Sequence, residues 1–436
     1  MGEQDIESTG AGRRRTWSRR ALLAVPVVGG AAAAGAWALT RGVEPTMTRP
    51  LAAQAVHEGY GVCQHVNFQS GVYQHQAAVM ERYGQMAVAQ MCSLYVPGLS
   101  NFDVAVDGAR RHNVRWNATV ATVDTSRDAI EERIAHMAAS TADLIGWVEG
   151  VNEPNEGSDW VGPCVERQQW IHDAVRSHPE LDHVVILGPS MHDVRLANAG
   201  GVHWQELADA GIADHMDVCS VHSYPSASTP DNRREERVQW VYDAFGDSYP
   251  IKFSEWGYTN TLGPASERTG GARPISPAAS AVYDCQAVLD FANHGWGVLR
   301  YEFLDDPDEG SLDTESNYGL WEVDSTEGDP DLTWTPKPVV APLTEMLRSL
   351  RDPGESYATT RVLLGVDAPD DVRTCLTQKR DGTTTLWLWR HVEVWDPDAE
   401  ADLDPGTVTV TIEQARGAVR KVSVGPMPLA VPIRDA

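Results

Sequence analysis

Lysine is nearly missing from this chain: four of 436 residues, with 35 Lys plus Arg against 62 Asp plus Glu and a formal charge of −27. A surface of that sign repels phosphate, so nucleic acid is excluded as a partner. The lysine deficit itself is read as codon bias or a solvated acidic surface. The six cysteines, at 63, 92, 164, 219, 285 and 375, form no C-x-x-C pair and no zinc spacing. His172, His183, His192 and His203 also lack metal-ligand spacing. There is no G-x-S-x-G elbow, no phosphate-binding G-x-x-x-x-G-K and no dinucleotide fingerprint in its strand context. Esterase, nucleotide and dehydrogenase chemistry therefore have no foothold, and neither a cofactor nor a metal is expected.

With 42% hydrophobic and 22% charged residues the chain can bury a large core. Eight apolar, strand-like runs alternate with helical patterns: near Tyr60 to Val66, Met86 to Val96, Val114 to Val123, Ile145 to Asn152, Val184 to Gly188, Met216 to Tyr224, Ile251 to Glu255 and Gly297 to Phe303. That alternation predicts parallel βα units, and eight of them predict an α/β fold with a closed (β/α)8 TIM barrel over residues 41–350. Ser126 ahead of Ile130, Ile134 and Met137, and Ser276-Pro277 ahead of Val282, Cys285 and Leu289, read as capped helix starts. After Leu350 the pattern shortens. Val372 to Gln378 and Thr384 to Trp389 flank the hairpin signal Arg380-Asp381-Gly382, and further short strands follow. Residues 351–436 are expected to form a small antiparallel β-sandwich accessory domain, in which Trp387, Trp389 and Trp395 either bind sugar or fill the core.

Two of the eight runs lead into a glutamate: Trp147-Val148-Glu149-Gly150-Val151-Asn152-Glu153-Pro154-Asn155 and Ile251-Lys252-Phe253-Ser254-Glu255-Trp256. Burying a carboxylate after an apolar run costs several kcal/mol unless something compensates it, so both invite explanation. The pair resembles clan A glycoside hydrolases, in which Asn-Glu-Pro after the fourth strand carries the acid/base and a glutamate after the seventh carries the nucleophile. Families 5 and 39 are the nearest comparisons. The resemblance implies a retaining glycosidase acting on a carbohydrate substrate, with Glu153 as acid/base and Glu255 as nucleophile. It further implies that the negative charge of Glu255 raises the pKa of Glu153. Val221-His222-Ser223-Tyr224 resembles the clan's sixth-strand end, which places His222 and Tyr224 as donors beside the nucleophile, and Asn152 against a sugar hydroxyl.

Further substrate-binding candidates come from strand ends: His65, Trp256, Glu302 and Asp305. Each also has a plain structural reading, His65 and Glu302 as satisfied buried polar groups and Trp256 as core. The chain departs from the clan at its second strand, where Gln90-Met91-Cys92-Ser93-Leu94-Tyr95 carries no arginine. Two other functions use the same residues, a transglycosylase and a carbohydrate-binding barrel without turnover. Asp305 to Asp313 is acidic but lacks the ligand spacing of an EF-hand and reads as a solvated loop.

Residues 1–40 read as an address rather than as fold. Ser18-Arg19-Arg20-Ala21-Leu22-Leu23, followed by an apolar stretch to Leu39, resembles a twin-arginine export signal. The twin-arginine translocase is the expected partner in export, the product secreted or cell-surface. Ala36-Trp37-Ala38 offers a cleavage site; uncut, the stretch is long enough to anchor the protein in a bilayer.

Overall fold

The computed structural model describes residues 44–68, 71–156, 158–306, 312–323, 333–414 and 418–433. The export segment, and residues 307–311 of the acidic loop, lie outside the described residues. Among the described residues, no helix is long and apolar enough to cross a membrane.

Eight strands occupy the expected runs: β1 (Tyr60–Cys63), β2 (Gln90–Leu94), β3 (Arg115–Ala121), β4 (Ile145–Val151), β5 (Val185–Ile186), β6 (Cys219–His222), β7 (Ile251–Trp256) and β8 (Gly297–Arg300). They form one parallel sheet in the order β5-β4-β3-β2-β1-β8-β7-β6. Its two end strands meet across isolated bridges, Leu187↔Val218 and Met191↔Val221, rather than a continuous ladder. The expected closed barrel is therefore a curled eight-stranded sheet with a thin seam. Its cause lies in β5, where Gly188-Pro189 ends the strand after two residues and proline brings no N–H to a ladder.

Long helices follow the strands and cover the outside: α1 (Gln76–Met86), α2 (Ser100–His112), α3 (Arg127–His136), α4 (Val161–Ser177), α5 (Val202–Asp209), α6 (Arg234–Phe245), α7 (Pro277–Asn293) and α8 (Val340–Leu350). The two expected caps are made, Ser126 Oγ accepting from the Ala129 amide at 3.3 Å and Ser276 Oγ from that of Ala279 at 3.0 Å.

The C-terminal strands are β9 (Val362–Asp367), β10 (Val372–Gln378), β11 (Thr384–Arg390), β12 (Val408–Gln414), β13 (Val419–Val424) and β14 (Leu429–Ile433). They build two four-stranded sheets, each completed by a short strand from before the barrel, Thr46–Thr48 on β9 and Leu51–Ala52 on β10. Alternation assigns the two faces of the β10–β11 pair. Leu376, Leu386 and Leu388 join Val410, Ile412 and Val424 between the sheets, whereas Cys375, Trp387 and Trp389 turn to the barrel's core. Trp387, Trp389 and Trp395 are all buried, so they serve packing and not sugar. α7 lies beneath this module, which explains why it is buried around nearly its whole circumference and not only along the predicted stripe.

One irregularity positions the site. β6 pairs Val221 with Phe253 and then His222 with Glu255, and β8 pairs Val298 with Phe253 and then Arg300 with Trp256, so both neighbours meet one extra residue in β7. This β-bulge breaks the in-out alternation at Ser254 and Glu255. Ser254 bonds to Ser220 inside the sheet, Glu255 still reaches the interior beside His222, and Trp256 is sent outward.

All six cysteines are free and buried. Cys63 and Cys92 face each other across the β1–β2 pair.

Candidate active site

The interior of the curled sheet is layered. At its base, Lys252 lies 3.6 Å from the Trp147 ring centroid and donates to Gln90 Oε1 at 2.8 Å. Burial lowers its pKa to about 7. Above it Glu149, 2% exposed, accepts from Ser220 Oγ at 2.6 Å on one oxygen and from Asn117 Nδ2 at 2.9 Å on the other. Ser220 Oγ also contacts Ser254 Oγ at 2.6 Å.

The top layer opens to solvent and contains Glu153, His222 and Glu255. Glu153 follows β4 in a left-handed conformation, φ 46°, a costly state for a side chain that persists only where neighbours over-determine it. Its own amide donates to the Ser190 carbonyl at 2.8 Å, and Asn155 Oδ1 accepts from the His192 amide at 2.8 Å. These ties to the β5 loop fix the turn that aims Glu153 inward. His222 Nδ1 stands 3.0 Å from Glu153 Oε1 and 3.3 Å from Glu255 Oε2. Tyr224 donates its hydroxyl to Glu255 Oε2 at 2.5 Å. One ligand atom from each of Glu153, His222 and Glu255 lies within 4.8 Å of the others.

Burial opposes a charged imidazolium, but the charges of Glu255 and Glu153 outweigh it and raise the His222 pKa to about 9. Burial, opposed by His222 and reinforced by Glu153, lifts Glu255 to about 7. Burial would lift Glu153 as well, but the hydrogen bond and charge of His222 bring it below its ordinary value. The expectation that Glu153 is the raised member of the pair is thus reversed, because Glu255 is the deeper group and His222 sits closer to Glu153. Burial, then the charge of Glu255, raises the Tyr224 phenol well above its usual value, so it remains a donor. The same three ligand atoms are close enough together to hold a metal ion.

The remaining sequence candidates divide. His65 and Glu302 come together at the β1 and β8 ends, with His65 Nε2 and the Tyr73 hydroxyl both on Glu302 Oε1. Burial works against the His65 charge, but Glu302 overrides it and raises the pKa. Tyr301 joins this group to the carboxylate pair, its ring 6.2 Å from His65 and 6.2 Å from Tyr224. Asn152 is exposed beside Glu153 and accepts from Ser190 Oγ at 3.3 Å.

Trp256 and Asp305 do not stand with the site. Trp256 is 1% exposed, packed between Tyr258 and Phe291 on the helix side, where the bulge sends it. Asp305 is buried and accepts from Lys337 Nζ and the Gly319 amide, each at 2.8 Å. Burial raises its pKa to about 6 against the pull of Lys337. Trp321 and Trp334 enclose the Arg82 guanidinium at 5.0 and 4.0 Å, and Trp160 stands beside His203.

Sequence reasoning did not single out Glu149, Asn155, Tyr73, Tyr301 or Tyr318, the last with its ring 5.6 Å from Tyr224 and 5.3 Å from Tyr301. Glu149 had a signal, a lone carboxylate inside an apolar strand run. The tyrosines had none, since their neighbours come from distant strand ends.

No family model matches the chain, and no curated protein matches it. Among solved structures it is similar to the GH51 arabinofuranosidase from Xanthomonas axonopodis pv. citri, at 12% identity over 90% of this chain and 96% of that one, TM-score 0.51. It is also similar to a monomeric β-xylosidase from Caulobacter crescentus CB15 (13% identity, 90% and 96% covered, TM-score 0.49) and to a GH39 β-xylosidase from Caulobacter crescentus (14%, 80% and 80%, 0.48). At 12% identity the likeness to the arabinofuranosidase shows a shared fold.

Proposed function

We propose that the protein is a retaining glycoside hydrolase that cleaves O-glycosidic bonds of an oligosaccharide or polysaccharide by double displacement. One observation carries this reading: Glu153 and Glu255, from the ends of β4 and β7, present carboxylate oxygens within 4.8 Å of each other. Retaining enzymes hold their carboxyls about 5 to 5.5 Å apart, and inverting ones about 6.5 to 9.5 Å, to admit a water between them.

A Glu255 oxygen attacks the anomeric carbon while Glu153 gives its proton to the departing glycosidic oxygen. Glu153 then takes a proton from water, whose oxygen attacks the same carbon and releases Glu255 as carboxylate. The cycle requires one proton on the pair. With Glu255 at about 7 and Glu153 below its ordinary value, the pair holds that proton up to about pH 7, mainly on Glu255. Glu153 is the half-exposed member, with 27% of its side chain open to solvent. A sugar covering it removes water from its charged form and moves the proton toward it. His222 stays charged and Tyr224 stays a donor while Glu255 ionises for attack. Asn152, His65 and Glu302 are the proposed contacts to sugar hydroxyls, and the chain's net charge of −27 favours a neutral glycan.

The proposal is tested by reducing-end release from residues 41–436 across plant, fungal and bacterial polysaccharides and aryl glycosides, with Glu255→Ala in parallel. Turnover that the variant loses by about 10³-fold or more supports the glycosidase. No turnover from folded protein would favour a carbohydrate-binding protein instead. We further propose export through the twin-arginine translocase. Amino-terminal sequencing of the mature product should begin near Leu39, and an intact Met1 on membranes would replace secretion with anchoring.

A further inference from the structure

The segment between β6 and α6 runs from Ser223 to Arg233, and its second residue is Tyr224, the donor to Glu255. It contains Ser226 in a left-handed conformation, φ 57°, two residues after Tyr224. Backbone of that kind is held by its surroundings rather than by its own preference. Inside the loop, Asn232 Nδ2 reaches back to the Pro225 carbonyl at 2.9 Å and Thr229 Oγ1 donates to Asp231 Oδ1 at 2.8 Å.

Tyr258, just after β7, donates its hydroxyl to the Ser228 carbonyl at 2.8 Å, and the other side-chain ties leave the barrel. Ser228 Oγ donates to Glu393 Oε1 at 2.7 Å. Asp231 accepts from His391 Nε2 at 2.8 Å and from Arg373 Nη2 at 2.6 Å. Arg373, His391 and Glu393 all belong to the C-terminal β module or its edge. They are themselves anchored on α7: Arg373 Nη1 donates to both Asp290 oxygens at 2.9 Å, and Glu393 Oε2 accepts from the Tyr283 hydroxyl at 2.9 Å. Burial would raise the Asp231 pKa, but His391 and Arg373 outweigh it and hold the carboxyl well below its usual range. The loop is thus pinned at Ser228 and Asp231, four and seven residues beyond Tyr224.

We propose that the β module is a positioning element of the reaction: Glu393, His391 and Arg373 clamp the β6–α6 loop and thereby hold the Tyr224 hydroxyl on Glu255. This rests on the glycosidase reading for its consequence and on the loop contacts for its geometry. It assigns the module a task other than sugar binding, in keeping with its buried tryptophans. Arg373, His391 and Glu393 act through Tyr224 and touch no reacting atom.

The double variant Ser228→Ala/Asp231→Ala removes both side-chain ties to the module from the barrel side and leaves the contacts of the module with α7 in place. Hydrogen exchange of the amides in 223–233 is expected to rise by about tenfold or more, with the module's own amides unchanged. In the same variant kcat falls about tenfold with KM within about twofold, since small misplacements of active-site groups carry costs of that order. In a Tyr224→Phe background the same pair of substitutions should change kcat by less than about twofold, because the group that the clamp positions is gone. Arg373→Met, which keeps the apolar stem, is the second variant should the double one fold poorly. Unchanged loop exchange, or an equal kcat loss in both backgrounds, would overturn the clamp. If the unaltered protein turns over no glycan, the glycosidase reading fails, and loop exchange alone decides whether the module holds the loop.

Discussion

Glu149 and Glu153 are four residues apart in the chain, both turned into the curled sheet, and their surroundings are opposite. Glu149 has both oxygens occupied, by Ser220 and Asn117, and is 2% exposed. Glu153 has one close partner, His222, and an open side toward solvent. A carboxylate with a full set of donors is committed to the fold, since removing it leaves donors unpaired. One with an open side retains capacity for a substrate. The contrast separates structural from chemical acidity within one strand register, and the same test sets Asp305, held by Lys337 and Gly319, apart from Glu255.

Substitution should break the comparison in opposite ways. Glu153→Gln is expected to lower kcat by about 10² to 10⁴-fold, the usual span for a general acid, with the unfolding midpoint unchanged. Glu149→Gln should do the reverse, costing about 1 to 3 kcal/mol of stability as its amide meets donors where the carboxylate accepted, and changing kcat by less than about tenfold. Steady-state kinetics and thermal unfolding of the two variants side by side check both. Equal effects on activity would erase the distinction.

A smaller effect concerns pH. The pair needs one proton, and Glu255, raised to about 7, gives it up as pH rises through that value. The kcat/KM profile should therefore fall on its alkaline side near pH 7, while His222, at about 9, keeps its charge through that limb. A plateau extending to pH 9 would show that the proton resides elsewhere.

Much of this was legible in the sequence. Seven of the eight strands lie within their apolar runs and the seventh passes its run by one residue, Trp256, because a strand buried on both faces leaves a continuous hydrophobic signature. Ser126 and Ser276 announced their helices because capping is local chemistry. Glu153, Glu255, His222 and Tyr224 converge as their strand-end positions implied. What the sequence hid is non-local. The β7 bulge depends on two neighbouring ladders, and it decides that Trp256 faces the helices. The seam follows from a strand cut short at Gly188-Pro189. The strands at Thr46–Thr48 and Leu51–Ala52 are too short to carry a pattern, and they pair with residues over 300 positions later. The order of the two carboxyl pKa values turned on burial, deeper at Glu255, and on the hydrogen bond between His222 and Glu153, both set by tertiary packing.

The central claim is that two carboxylates are spaced for attack by one of them and not for a water between them. Proton NMR of the first product released from a substrate of known anomeric configuration tests it directly. Double displacement gives a fresh product with the same configuration as the substrate, lost only later by mutarotation. A product that first appears inverted would contradict it.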